Sequence, residues 1–214
     1  MYAAHAQPGF EGIVGEEAVT RVPTTREIGR RTVGDRAGVT ILETRHPAGL
    51  ATIRTAEDVF AIVGYRAEIS NDSNVLARVL GVSRDAPFVE SALADRAAIT
   101  PRARAGRRIY YRVIARMAGD HDFRRLDFQR AVERGIAERV DHTWRLAEDE
   151  SEECTEFWAT MLPGEFILEV RLSDRSQRHR DYKVAHRPGS LRPSVAAALA
   201  WMSTSQSVWR FARR

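Results

Sequence analysis

The chain of 214 residues carries 33 Lys and Arg against 29 Asp and Glu, a formal net charge of +4, with 43% hydrophobic and 29% charged residues. That balance excludes fibrous and low-complexity classes and fits one large or two small soluble globular domains. No apolar run approaches the roughly 20 residues of a membrane helix, the N-terminus lacks the basic-then-apolar pattern of a secretory signal, and the lone Cys154 permits no internal disulfide, so a cytoplasmic protein is expected.

In chain order, Tyr2 to Gln7 reads as a short strand broken by Pro8-Gly9, and Phe10, Ile13, Val14 and Val19 give the next segment one apolar helical side. Glu27 to Val33 and Val39 to Thr44 read as a hairpin around Gly34 and Gly38, and Gly49 to Arg54 as a further strand. Thr55 to Asp58 resembles a helix start ahead of Val59, Phe60, Ile62 and Val63. After the polar link Ser70 to Asn74, two short helices are predicted near 74–80 and 87–96.

From Ile109 to Met117 apolar residues alternate with Arg108, Tyr110, Arg112, Ile114 and Arg116, which predicts a strand with one inward apolar face and one basic face. Asp127 is a candidate cap for a helix whose apolar positions are Phe128, Ala131, Val132 and Ile136. Strands are predicted over Thr143 to Leu146, Thr155 to Met161 and Glu165 to Leu172, with Pro163-Gly164 as the last tight turn. Ser173 to Pro188 has no periodicity, and Ser190 to Met202 is an Ala-rich helix that tolerates Pro193 in its first turn.

Charge is distributed in blocks. Residues 1–100 carry a net −2 and residues 101–214 a net +6. Arg102 to Arg125 holds eight Arg against two Asp, and Arg171 to Arg192 holds six Arg and one Lys against two Asp. Between them, Asp141 to Val170 holds nine acids and only Arg145. Such blocks suit an anionic polymer, although solvated faces give the same pattern.

No catalytic constellation stands out. The glycines lack the spacing of a phosphate or dinucleotide loop. Asp120-His121-Asp122 is the only tight metal-ligand cluster, and adjacent turn residues point apart, so no metal is expected. Cys154 follows an acidic run, which raises a thiol's pKa and disfavours a nucleophile. Trp144, Phe157, Trp158 and Phe166 are expected in the core rather than as stacking platforms.

The segment Arg180 to Trp201, which reads RDYKVAHRPGSLRPSVAAALAW, closely resembles the hinge of THUMP-domain RNA methyltransferases. Shorter pieces are similar in order: Gly9 to Glu17, Arg54 to Phe60, Tyr111 to Arg116, Asp122 to Arg125, and Leu172 to Arg175. The resemblance covers about residues 1–202. It implies an α+β fold: a ferredoxin-like unit over 1–70, a THUMP domain with a mostly antiparallel sheet over 71–175, and a hinge with a linker helix over 176–214.

It also implies tRNA as partner, bound at its acceptor end, and kinship with enzymes that methylate the exocyclic amine of a guanosine. Arg104, Arg107, Arg108, Arg124, Arg125, Arg178, Arg180, Lys183 and Arg192 are the residues expected to contact RNA.

In the family a donor-holding Asp-Pro-x-Cys-Gly-x-Gly loop and an Asn/Asp-Pro-Pro-Tyr motif follow this hinge. Neither occurs in residues 203–214. The expectation is therefore an RNA-binding module with no catalytic residue, no S-adenosylmethionine on this chain and the methyltransferase domain missing. The alternatives are half of a split enzyme with a separate methyltransferase domain as partner, or a truncated fragment.

Overall fold

The computed structural model describes residues 1–100, 109–147, 154–180, 182–185 and 187–204, without the side chains of residues 175 and 176. The fold is α+β with a mixed, mostly antiparallel arrangement of strands. It divides into two compact units, residues 1–60 with 173–214, and residues 61–172.

In the first unit β3 (Ala37–Glu43) is central. It pairs antiparallel with β1 (Tyr2–Ala6) and with β2 (Arg26–Val33), which carries a bulge between Glu27 and Gly29. Six of the seven β3 residues are buried, while β2 alternates exposed and half-buried as a sheet edge does. Helix α1 (Glu11–Arg21) buries Val14 and Ala18, and Thr40 Oγ1 of β3 donates to the Glu11 carbonyl at 2.8 Å.

Two readings of this unit fail. Pro47–Thr52 is a 3₁₀ helix and not a strand, because Pro47 opens a tight turn that buries only Leu50. The stretch predicted to start a helix at Thr55 leads into strand β4 (Asp58–Ala67). Its run Val59 to Val63 is wholly buried, and a contiguous apolar run suits a strand covered on both faces as well as a helix. Thr55 donates its hydroxyl to Glu17 at 2.7 Å and caps nothing.

The first three residues of β4 belong to this unit and the remainder to the second. There the strand order is β4, β8 (Glu165–Arg171), β7 (Thr155–Leu162), β5 (Ile109–Met117), β6 (Trp144–Leu146). The β7–β8 hairpin is antiparallel, closing at Leu162↔Glu165 around Pro163-Gly164, where Gly164 takes φ 73°. The β5–β7 and β5–β6 pairings are parallel.

Helices α2 (Val75–Arg84), α3 (Val89–Ile99) and α4 (Arg125–Arg139) complete the unit. The period-two reading of β5 holds: Tyr111, Val113 and Ala115 are buried, while Arg112, Ile114 and Arg116 on the other face are half-buried. Phe128 of α4 meets Phe166 edge-to-face with ring centroids 5.7 Å apart, and Phe157 meets Tyr111 at 6.0 Å. Phe157 and Phe166 are core residues, whereas Trp144 and Trp158 are half-buried.

Two short helices lie in the C-terminal segment, α5 (Arg175–His179), in the stretch that shows no sequence periodicity, and α6 (Pro193–Thr204).

Candidate nucleic-acid interface

The second unit presents two groups of cations with different fates. Arg124 stands in extended backbone immediately before α4, and Arg125 is its first residue. Asp127 does not cap the helix. It sits in the first turn, where a carboxylate favours the positive end of the helix dipole. Arg124 and Arg125 are both exposed and form no ion pair with the described residues. Two guanidinium groups and the unsatisfied N–H groups of a 15-residue helix thus share one place, an arrangement that attracts anions.

The second group lies on the sheet face opposite the core. Register places Arg112 beside Glu156 and Arg116 beside Thr160. Glu156 accepts from Arg112 at 2.7 Å, from Arg171 at 3.0 Å and from the Trp158 indole N–H at 3.1 Å. The Arg116 guanidinium lies over the Trp158 ring, 4.5 Å from its centroid, and 3.8 Å from Glu169. Burial works to raise the Glu156 pKa, but Arg171 and the donated hydrogen bonds prevail and hold it below the ordinary carboxylate value. Here the arginines answer carboxylates of their own sheet.

In the first unit the cations of the C-terminal segment serve as fasteners. Arg178 pairs with the buried Asp58, which Ser173 also approaches at 3.4 Å. Gln177 and Arg180 both donate to the Ile53 carbonyl, at 3.0 and 2.7 Å. Burial pushes the Arg180 guanidinium below its ordinary value. Arg192 reaches Glu57 at 3.3 Å, and the same carboxylate accepts from Ser194 at 3.2 Å and from Gln7 at 2.8 Å. Lys183 donates to the Leu191 carbonyl at 2.8 Å. Of the residues expected to contact RNA, these four thus have internal partners, Arg124 and Arg125 face solvent, and Arg104, Arg107 and Arg108 lie outside the described residues.

Helix α6 packs on α1 and leaves a cavity of about 340 Å³, edged by Glu17, Arg21, Arg54, Tyr182 and Trp201 and floored by α6 alanines. The Arg21 guanidinium lies 5.4 Å from the Trp201 ring centroid and bonds Glu17 at 2.8 Å. Glu17 is 1% exposed and also accepts from the backbone N–H groups of Arg54 and Thr55 at 2.9–3.1 Å. This cavity was not legible beforehand, because Arg21 and Trp201 are 180 positions apart.

No protein-family model and no curated protein matches the sequence. Solved structures do share the fold. TrmN from Thermus thermophilus is 22% identical with a TM-score of 0.68, over 92% of this chain and 52% of its own. A structure described as a predicted N6-adenine-specific DNA methylase from Listeria monocytogenes is 15% identical, TM-score 0.62, over 95% and 48%. SMU.472, a putative methyltransferase complexed with SAH, is 12% identical, TM-score 0.59, over 95% and 48%. The chain therefore spans about half the length of the structures it matches and shares the fold of that part of them.

Two expectations are corrected by these likenesses. A module whose methyltransferase domain is missing does not stand, since 95% of the chain is matched within structures described as a DNA methylase and a methyltransferase. The absence of a cofactor from this chain does not stand either, since one matched structure holds SAH. The α1–α6 cavity itself does not suit that donor. Arg21 and Arg54 edge it, and Glu17, its one carboxylate, is already bonded by Arg21, Arg54 and Thr55, which leaves nothing there to answer the donor's sulfonium and ammonium charges.

No helix of the described residues is long and apolar enough to cross a membrane.

Proposed function

We propose that this chain holds a tRNA for methylation and recognises its acceptor end, with residues 71–175 acting as a THUMP-type RNA-binding domain beside a ferredoxin-like unit over 1–70. The observation that carries the reading is the exposed Arg124–Arg125 pair at the start of α4. It supplies two forked donors and a helix dipole to phosphate, whereas the arginines of β5 and β8 are engaged by Glu156 and Glu169. Arg104, Arg107 and Arg108 extend the basic set in sequence; of the C-terminal cations in the proposed set, Arg178 and Arg192 are paired with Asp58 and Glu57, and Arg180 and Lys183 donate to backbone carbonyls. The methyltransferase-like fold supports a nucleic acid as the polymer.

Fluorescence anisotropy tests this with tRNA, tRNA lacking its single-stranded 3′ end, and duplex DNA of similar charge, each at two salt concentrations. The expected order is intact tRNA, then trimmed tRNA, then DNA. Equal affinity for intact and trimmed tRNA removes end recognition, and preference for DNA removes the tRNA reading.

A further inference from the structure

We infer that the cavity between α1 and α6 is a binding site for one unstacked nucleotide, its base held against Trp201 and Tyr182 and its phosphate by Arg54 and Arg21. The inference deepens the tRNA reading, since a single-stranded RNA end offers such a nucleotide, but it rests on separate residues.

Four observations converge. The cavity, at about 340 Å³, falls within the roughly 300–1,000 Å³ of small-ligand pockets. Its edge carries two aromatic rings, and Tyr182 is 61% exposed. Arg54 is exposed and its guanidinium pairs with no acid among the described residues, while Glu17, the one carboxylate at the edge, is satisfied by Arg21, Arg54 N–H and Thr55. The site is therefore cationic. Finally, the Trp201 indole N–H is shielded from solvent yet finds no acceptor among the described residues. A buried donor without a partner is costly, and because this one is closed to a water-sized probe, a phosphate or base oxygen answers it only with a shift of the Trp201 ring.

An uncharged lipid or an apolar peptide would leave Arg54 unanswered, and a simple inorganic anion would leave the rings bare. A planar, anionic ligand satisfies both. Aromatic platforms beside arginine are how proteins hold unpaired bases without reading a duplex. Small side chains at Ala196, Ala197 and Ala200 keep the floor of the cavity open.

The test follows the Trp201 indole N–H in ¹H–¹⁵N spectra of the full chain, its resonance assigned by Trp201→Phe. The probes are adenosine 5′-monophosphate, a short single-stranded RNA, intact tRNA and S-adenosylhomocysteine. Saturable shifts with the monophosphate and the RNA are expected. Arg54→Glu, a surface change, is expected to weaken both at least about tenfold, and Ala200→Trp, which fills the cavity from an exposed helix position, to abolish them.

An unmoved resonance at saturating tRNA overturns the site while leaving the tRNA reading intact. A shift with the monophosphate but no affinity for tRNA supports the site and sinks that reading. A shift with S-adenosylhomocysteine alone overturns the inference and assigns the cavity to the methyl donor. Unchanged affinity in Arg54→Glu, with the variant's melting temperature preserved, also overturns it.

Discussion

Arg178 and Asp58 form an ion pair whose two ends are unequally wet: the Asp58 side chain is 1% exposed, the Arg178 side chain 45%. Removing the wetter partner is therefore the costlier change. Arg178→Ala takes its ion pair from a buried carboxylate, and is expected to cost about 2 kcal/mol, below the usual range for a wholly buried pair. Asp58→Ala leaves a guanidinium that water reaches, and about 1 kcal/mol is expected. Urea denaturation of the two variants checks this, and the opposite order would refute the account.

Glu156 supplies a pH dependence. Its folded-state pKa is depressed, so its contribution is present above the ordinary carboxylate value and is lost as pH falls through the lower folded value. Stability of the native chain should drop as acid is added below about pH 4.5, and Glu156→Gln should be less stable at neutral pH yet flatter across that window. Urea midpoints measured across that range decide it, since a variant with the native acid slope would exclude Glu156 as a source.

Gly135 marks the closest approach of α4 to α2. A β-carbon there would lie 2.6 Å from both the Leu80 carbonyl oxygen and the Ser83 β-carbon, and the former belongs to backbone that cannot swing away. Gly135→Ala should destabilise the second unit by about 1–3 kcal/mol, despite alanine's better helix propensity. A thermal melt no lower than that of the native chain would show that the helices can part without cost.

Arg124 and Arg125 should act as phosphate contacts. Replacing both with Ala is expected to weaken tRNA binding by about 1 kcal/mol per contact, similarly for different tRNAs, and to flatten the dependence of affinity on salt. Because both are exposed, the urea midpoint should barely move. Binding losses confined to one tRNA would argue for base recognition instead.

Much of the second unit was legible because its signals are local. Alternation marks β5, and recurrence every three to four residues marks α4. Pro163-Gly164 marks the β7–β8 turn. The misreadings at Gly49 to Arg54 and Thr55 to Val63 arose where local chemistry is ambiguous and tertiary cover decides. The fates of the C-terminal cations were not legible, because Asp58 lies 120 positions before Arg178 and Glu57 lies 135 before Arg192. Nothing near Arg178 or Arg192 says that these charges are answered from within. The same separation hid the α1–α6 cavity.

The discontinuity of the first unit sets an order of events during synthesis. Its opening segment, residues 1–60, leaves the ribosome well before residues 173–214, with the whole contiguous second unit made in between. At about 5–20 residues per second, Glu57 and Asp58 spend several seconds as hydrated anions in a nascent chain before Arg192 and Arg178 exist. The last segment to be translated thus closes the first one to emerge. Premature termination before residue 173 would release a chain in which Glu57 and Asp58 have never met those two counter-ions.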